Sequence, residues 1–206
     1  MKILVTGFEP FGGDEVNSSW ESVKLLETVI MGAEIVKARL PVSFKAVREL
    51  IPRLIEEHRP SIIILTGQAK GIPSLHVERV AINVMDARIG DNEGYKPEDE
   101  PIFPGAPAAY FATIPIKKVL ESIRRANVPA AVSNSAGTFV CNTAMFTALH
   151  YVSQKGIPSK IGFIHIPSLP QQSLEGNTPS MAPEVVATGL RACIATCVGE
   201  LLSSGS

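Results

Sequence analysis

The stretch SIIILTG, residues 61–67, decides the fold class of this chain. It contains four branched aliphatic residues in succession, Ile62 to Leu65, and it ends in Thr and Gly. A short apolar run with such boundaries is typical of a strand that is buried on both faces. Strands of that kind belong to largely parallel sheets, because helices cover both sides of the sheet. The stretch therefore predicts the centre of an α/β fold.

The chain on either side repeats the alternation of strand and helix. Further strand-like runs are KILVTG (2–7), AEIVKARLPV (33–42), LHVERVAINVMDARI (75–89), AAVS (130–133) and KIGFIHIP (160–167). Helical patterns cover residues 18–30, 43–60, 114–129, 138–156 and 182–202, with Pro52 inside the second and Gly156 at the end of the fourth. This alternation predicts an α/β/α sandwich with a mostly parallel or mixed twisted sheet. We expect a single domain over residues 1–206, with a polar loop at 90–107.

The composition excludes several classes of partner. Of the 206 residues 45% are hydrophobic and 19% are charged, and the net charge is −1. This balance offers nothing that would attract a nucleic acid. The N-terminal apolar run is interrupted too early for a signal peptide, and we expect no run long enough to span a membrane. With three cysteines and no CxxC pair, free thiols and a cytoplasmic protein are expected.

Cys141 lies in SNSAGTFVCN (133–142), where a helix is predicted to begin after a cap at Gly137 or Thr138. A cysteine among small and apolar residues is most often a packed core residue. At the start of a helix, however, free N–H groups and the helix dipole favour the thiolate, which attacks carbonyl carbons. Both interpretations stay open on this stretch alone. Cys193 and Cys197 lie one helical turn apart and are expected to pack, although an exposed face there could allow a disulfide between subunits.

His165 lies at the end of the run KIGFIHIP, at the edge where open α/β sheets bind their ligands. A lone histidine in a strand is more often a structural hydrogen-bonding group, but this position favours an acid–base role. His76 is the alternative histidine. Glu78, in LHVERVAIN, is by default a solvated carboxylate, yet a carboxylate on a neighbouring strand could orient an imidazole. No spacing rule decides this, because such partners meet in space.

The loop TGFEPFGG (6–13) separates Gly7 and Gly12 as a phosphate-binding loop does. Gly13 stands where such a loop needs a lysine, and Pro10 has no N–H to offer. The loop therefore argues against a phosphate site and against a nucleoside- or phosphate-handling enzyme. Its phenylalanines, Phe8 and Phe11, are either one wall of an apolar pocket or core residues. The chain has no HExxH or GxSxG motif, and its acidic loop at 91–100 does not predict a metal site.

Six segments in order closely resemble one family of cysteine peptidases. They are TGFEPFGG, GQAKG, ERVAINVMDARIGDNEG, PGAPAAYFATIPIKK, SNSAGTFVCN and GFIHIP, and the resemblance covers the chain from residue 2 to about residue 183. The family is pyroglutamyl peptidase I, also called pyrrolidone carboxyl peptidase. The resemblance implies Cys141 as the nucleophile, His165 as its histidine, Glu78 as the third member of the triad, and Arg88 close to the catalytic centre. It also implies a pyroglutamate pocket made by Phe8, Phe11, Gln68, Phe139 and Val140.

The implied enzyme is a cysteine exopeptidase, an omega peptidase, with one catalytic domain. It would hydrolyse an N-terminal pyroglutamyl residue from peptides through a thioester acyl-enzyme, without a cofactor or a metal. The family frequently forms homotetramers, so a homo-oligomer is expected. This chain departs from its relatives just after Gln68, at Lys70, Gly71 and Ile72, where relatives often have a second Gly and an Arg. A binding protein that has lost the chemistry is the remaining alternative, and the intact triad candidates argue against it.

Overall fold

Strands and helices alternate along residues 1–204, the part of the chain that this computed structural model describes. The strands are β1 (Lys2–Phe8), β2 (Val29–Ile30), β3 (Ala33–Leu40), β4 (Ile62–Gln68), β5 (Leu75–Glu78), β6 (Val80–Ile82), β7 (Ala109–Phe111), β8 (Ala130–Ser133) and β9 (Lys160–Ile166). The helices are α1 (Ser18–Lys24), α2 (Phe44–His58), α3 (Ile116–Arg125), α4 (Val140–Lys155) and α5 (Pro183–Ser204). A short 3₁₀ helix, Pro170–Gln172, follows β9. The predicted alternation is therefore confirmed.

In the described part of the chain, seven strands form one sheet in the order β2-β3-β1-β4-β9-β5-β8, and β6 pairs with β7 in a separate two-stranded sheet. The neighbours β3, β1, β4 and β9 run parallel, and β5 is parallel to β8. The direction reverses between β9 and β5 and again at the edge strand β2. The sheet is thus mostly parallel with two antiparallel pairs, as predicted.

The central strands bury side chains on both faces of the sheet. In β4, Ile62 and Ile64 lie in one apolar cluster, whereas Ile63 and Leu65 lie in the other. Helices α1, α3 and α5 cover the first cluster, and α2 and α4 cover the second. Because successive side chains of a strand point to opposite faces, a strand between two helical layers must be apolar at every position. The α/β/α sandwich therefore explains why residues 62–65 are all apolar.

Helix α1 is shorter than the sequence pattern predicted. Asn17 caps it by accepting a hydrogen bond from the N–H of Ser19 (3.1 Å), but the helix ends at Lys24 instead of continuing to residue 30. The following residues turn, and β2 pairs antiparallel with β3. The side chain of Lys37 donates to the carbonyl of Lys24 (3.0 Å) and so satisfies a group at the helix end.

Helix α2 runs without a break through Pro52, as predicted, and ends at His58; its cap is Arg59, whose φ of 46° is left-handed. The run 75–89, predicted as one strand, is divided into β5 and β6, and after Ile82 it continues as an irregular loop. That loop carries only an isolated bridge, between Met85 and Glu100.

Helix α5 combines a buried face with an unusually apolar sequence. By length and composition alone, Pro183–Ser203 is sufficient to cross a membrane, so the expectation that no run reaches that length is wrong. Part of the helix packs into the first apolar cluster, as core helices of this composition do. Cys193 and Cys197 are buried there, with 0% and 3% of their surface exposed. An exposed face that offers these thiols for a disulfide between subunits is therefore also wrong.

Candidate active site

Cys141 is the second residue of helix α4. The cap is Phe139, which makes no side-chain hydrogen bond to the helix, so the predicted cap at Gly137 or Thr138 is wrong. The first-turn N–H groups are consequently free of a capping side chain, and they lie beside the thiol. This is the environment in which a thiolate and a developing oxyanion are both stabilised.

The thiol of Cys141 lies against the sheet at a glycine. A Cβ on Gly67, in β4, would come within 2.7 Å of the Cys141 Sγ and within 2.9 Å of the Phe163 ring. Gly67 is the register partner of His165 in the neighbouring strand β9. The absent side chain at Gly67 therefore leaves the space in which the thiol meets the histidine.

Glu78 and His165 form a buried pair. The Glu78 Oε1 lies 2.7 Å from the His165 Nδ1, and 1% of Glu78 and 8% of His165 are exposed. Strand β5 runs antiparallel to β9, with His76 opposite His165. The register therefore carries Glu78 away from the edge, diagonally beneath the imidazole, where it is buried instead of solvated. Its second oxygen, Oε2, is buried and accepts no hydrogen bond from residues 1–204.

Opposing effects act on the imidazole of His165. Burial by itself lowers its pKa, but the hydrogen bonds to Cys141 and Glu78 and the charges of both partners raise the pKa to about 9. The imidazolium is therefore the stable form of His165 at neutral pH. The pKa of His165 in the folded state exceeds the ordinary value of 6.5. Protonation of His165 therefore contributes fully to the stability of the folded protein below about pH 6.5, and this contribution is lost as the pH rises through about 9.

A cavity of about 500 Å³ opens over Cys141 and His165. The predicted site residues that line it are Phe11, Gln68, Arg88, Phe139, Cys141 and His165. Phe8 and Val140 do not line it: they are 2% and 1% exposed and pack in the second apolar cluster. Both were predicted as pocket residues, and the structure assigns both to the core. Their neighbours in sequence, Phe11 and Phe139, reach the cavity instead.

The aromatic wall of the cavity is a contact between two rings. The ring centroids of Phe11 and Phe139 are 5.1 Å apart with an angle of 40° between the planes, and Phe139 also meets Phe44 edge-on at 5.1 Å. Two rings at this distance touch each other, because 4.5–7 Å is the range of direct aromatic pairs. The two rings therefore leave no space between them for a third ring.

Gln68 contributes polar atoms to the lining of the same cavity. Its Oε1 accepts from the backbone N–H of Ser18 at 2.8 Å, and its Nε2 lies 3.4 Å from Asp14 Oδ2. A backbone N–H can only donate, so the bond to Ser18 fixes which end of the amide is the oxygen. Lys70 holds Asp14 through an ion pair of 2.9 Å.

Among the cavity-lining residues that the sequence did not predict for the site are Asp86, Ile89 and Thr138. The Thr138 hydroxyl donates to the carbonyl of Asp86 (2.7 Å), and the N–H of Asp86 donates back to the carbonyl of Thr138 (3.1 Å). These bonds attach the loop that carries Arg88 to the segment before helix α4. The only sequence signal for them was their position within two residues of Arg88 or Phe139.

Metal coordination finds no support among residues 1–204, where no group of three or more His, Cys, Asp and Glu side chains could hold an ion. The groups that converge on the cavity are a thiol at a helix start, an imidazole beside it and a buried carboxylate behind the imidazole. An α/β fold with this arrangement at the carboxyl edge of its sheet belongs to the class of cysteine hydrolases.

Comparisons with known proteins narrow the class. The family model for pyroglutamyl peptidase matches residues 1–200. A pyrrolidone-carboxylate peptidase of Thermococcus kodakarensis is 58% identical over 205 residues, 100% of each chain, and one of Pyrococcus furiosus is 44% identical over 208 residues, 98% of this chain and 100% of the other. A solved structure of a mutant pyrrolidone carboxyl peptidase from P. furiosus has a TM-score of 0.94, with 42% identity over 98% of this chain and 100% of that one. Pyroglutamyl peptidase I of Bacillus amyloliquefaciens has a TM-score of 0.92, with 42% identity over 96% and 97%. The chain belongs to the pyroglutamyl peptidase family.

Family membership confirms the predicted fold class and the predicted reaction, which is the hydrolytic removal of an N-terminal pyroglutamyl residue. It does not assign the work to particular side chains of this chain.

Proposed function

We propose that Cys141 is the nucleophile of this peptidase, that His165 is its acid–base group and that Glu78 positions His165. The observation that carries the proposal is the buried contact of 2.7 Å between Glu78 and the Nδ1 of an imidazole that also bonds Cys141. Because Glu78 occupies Nδ1, the other ring nitrogen, Nε2, is the one left to exchange a proton at the reacting atoms.

The reaction proceeds in two steps. The Cys141 thiolate attacks the carbonyl carbon of the pyroglutamyl residue, and collapse of the tetrahedral intermediate breaks the C–N bond as His165 gives its proton to the leaving amine. A thioester remains on Cys141. The neutral imidazole then takes a proton from water, which attacks the thioester and releases pyroglutamate and the thiolate.

The oxyanion of each tetrahedral intermediate needs hydrogen-bond donors that are already in place. The uncapped first turn of helix α4 supplies backbone N–H groups next to Cys141. The exposed guanidinium of Arg88 lines the same cavity and adds a positive charge. We assign Arg88 to stabilisation of the developing charge, because its positively charged side chain lines the cavity that contains Cys141.

The pocket fits a lactam better than a free amino terminus. Pyroglutamate has its nitrogen in a lactam and carries no positive charge, and the Phe11–Phe139 pair offers an apolar surface to its ring. The Oε1 of Gln68 is already bonded to Ser18, so the Nε2 is the atom that can donate to the ring carbonyl. A prolyl residue lacks that carbonyl and would bring a charged amine to the same surface.

The substrates proposed for this chain are therefore peptides with an N-terminal pyroglutamate. We also propose a single catalytic domain over the whole chain, a cytoplasmic location and a homotetramer. A reducing compartment suits a mechanism that needs a free thiol at Cys141. The assembly is proposed from the family resemblance, and sedimentation of the purified protein would measure it.

The experiment for the pocket compares kcat/KM for pyroglutamyl, prolyl and glutaminyl amides of one fluorophore. A site built around a buried hydrogen bond should discriminate by about 10⁴-fold against an analogue that lacks the group, whereas an apolar pocket alone gives nearer 10²-fold. Gln68→Ala should erode discrimination against the prolyl substrate. Phe11→Ala should raise KM without creating a new preference. Comparable values for the pyroglutamyl and prolyl amides would refute the pocket assignment.

A further inference from the structure

The Phe11 loop, residues 9–17, joins β1 to α1 and forms one wall of the cavity. It contains no helix or strand, so its conformation depends on hydrogen bonds to the surrounding structure. At its start, Glu9 accepts a bond from the N–H of Val42 (2.9 Å). Toward its other end, the loop is held by groups from β4 and from the segment that follows β9.

Gln172, the last residue of the 3₁₀ helix, makes several of these contacts. Its Nε2 lies 3.0 Å from the Oδ2 of Asp14, 3.3 Å from the carbonyl of Val16 and 3.3 Å from the Oε1 of Gln68. The first two partners belong to the Phe11 loop, and the third ends strand β4. One amide therefore connects the wall of the cavity with the strand that lies beside the His165 strand.

The orientation of this amide is fixed by its other end. The Oε1 of Gln172 accepts from the backbone N–H of Leu169 at 2.8 Å, and that group can only donate. The Nε2 consequently faces the loop and Gln68, and all three of its partners there are acceptors. A carboxylate of the same shape would keep the bond to Leu169, but it would meet three acceptors without a proton to donate.

We infer that Gln172 is a positioning residue that holds the Phe11 loop against Gln68 and thereby sets the shape of the pyroglutamyl pocket. The inference rests on the pocket proposed above and adds a residue to it. Gln172 does not itself line the cavity that contains Cys141 and His165. Its removal should therefore weaken the binding of the ring and leave the reactivity of the thiol unchanged.

The test is Gln172→Glu, with Gln171→Glu as the matched control, because Gln171 is the exposed neighbour and undergoes the same change of charge. KM and kcat are measured with the pyroglutamyl amide, together with the rate at which iodoacetamide inactivates the enzyme. We expect KM to rise at least about tenfold in Gln172→Glu, the scale of a lost buried hydrogen bond, with an unchanged rate of inactivation. Gln171→Glu should behave like the wild type. An unchanged KM, or an inactivation rate that falls as much as kcat/KM, overturns the inference.

A compensating change separates positioning from general damage. In the double variant Gln172→Glu/Asp14→Asn, the new amide at position 14 can donate to the new carboxylate, so KM should be lower than in Gln172→Glu alone. Single-variant effects that simply multiply in the double variant count against the contact. If Gln68→Ala leaves discrimination against the prolyl substrate unchanged and Phe11→Ala leaves KM unchanged, the pocket proposal fails. If both variants change as expected while Gln172→Glu has no effect, only the inference about Gln172 fails.

Discussion

Glu78→Gln tests the buried pair most directly, because it removes the charge and keeps the shape. The amide oxygen can still accept from the His165 Nδ1 at the same position. The charge centres of a carboxylate and an imidazolium in such a contact are about 4 Å apart, which at an effective dielectric constant of about 20 corresponds to about 4 kcal/mol. That energy is a factor of about 10³ in the ratio of imidazolium to imidazole.

Hydrogen bonding at the second oxygen of Glu78 does not offset the lost attraction between the two charges, since that oxygen has no partner among residues 1–204. Burial lowers the pKa of His165, and in the variant the charge of Glu78 would no longer oppose that effect. We expect the basic limb of the kcat/KM profile, near 9 in the wild type, to move about 3 pH units lower, so that kcat/KM falls about tenfold at pH 7 and approaches a loss of about 10³-fold only above pH 9.

The assay is kcat/KM for the pyroglutamyl amide across the pH range, with Glu121→Gln as the control. Glu121 undergoes the same chemical change in an exposed pair with Arg125 on helix α3 and should leave the profile unaltered. His165→Ala, measured alongside, should be close to inactive. A wild-type rate with an unmoved basic limb in Glu78→Gln would refute the proposed effect of the negative charge of Glu78 on His165.

Gly67→Ala should lower kcat/KM about 10²-fold while the protein stays folded, because the new Cβ would lie 2.7 Å from the Cys141 Sγ; near-wild-type activity would contradict the close approach. The control Gly199→Ala has nothing among residues 1–204 within 4 Å of its Cβ in helix α5, and should keep full activity and gain about 0.5–1 kcal/mol of stability. Iodoacetamide should label the native chain once, at Cys141, and the unfolded chain three times by mass spectrometry. A hydrogen bond to Cys197, burial and the charge of Cys197 raise the pKa of the Cys193 thiol. Labelling of Cys193 or Cys197 in the native protein would contradict the burial of both thiols.

The elements predicted most accurately from the sequence are those whose burial leaves a strong pattern. Strand β4 is apolar at every position because helices cover both of its faces, and helix α4 ends at a left-handed Gly156 as its sequence indicated. Helix α1 was overestimated because its apolar spacing continues past Lys24, where the chain instead turns into β2. Periodicity alone could not identify that turn, since the pairing with β3 that favours it is a tertiary contact.

Within the site, the position of a residue along its helix or strand could be predicted from the sequence, whereas the relative direction of neighbouring strands could not. Cys141 and His165 were candidates because a helix start and a strand end are recognisable in the sequence. The burial of Glu78 depends on the reversal of β5 against β9, which no local pattern records. Phe8 ends a strand whose pleat turns it into the core, while Phe11 in the loop reaches the cavity. Gln172 carried no signal, because its partners are distant in sequence.

The sheet order also bears on how the active site forms during folding. Glu78 and His165 are separated by 87 residues, and strand β9 inserts between β4 and β5, which precede it by a long stretch of chain. Contacts between such distant segments cost loop-closure entropy before they contribute, and they slow folding. After dilution from denaturant, helical signal should therefore return ahead of peptidase turnover. Glu78 and His165 come into contact only once β9 has paired with β4 and β5.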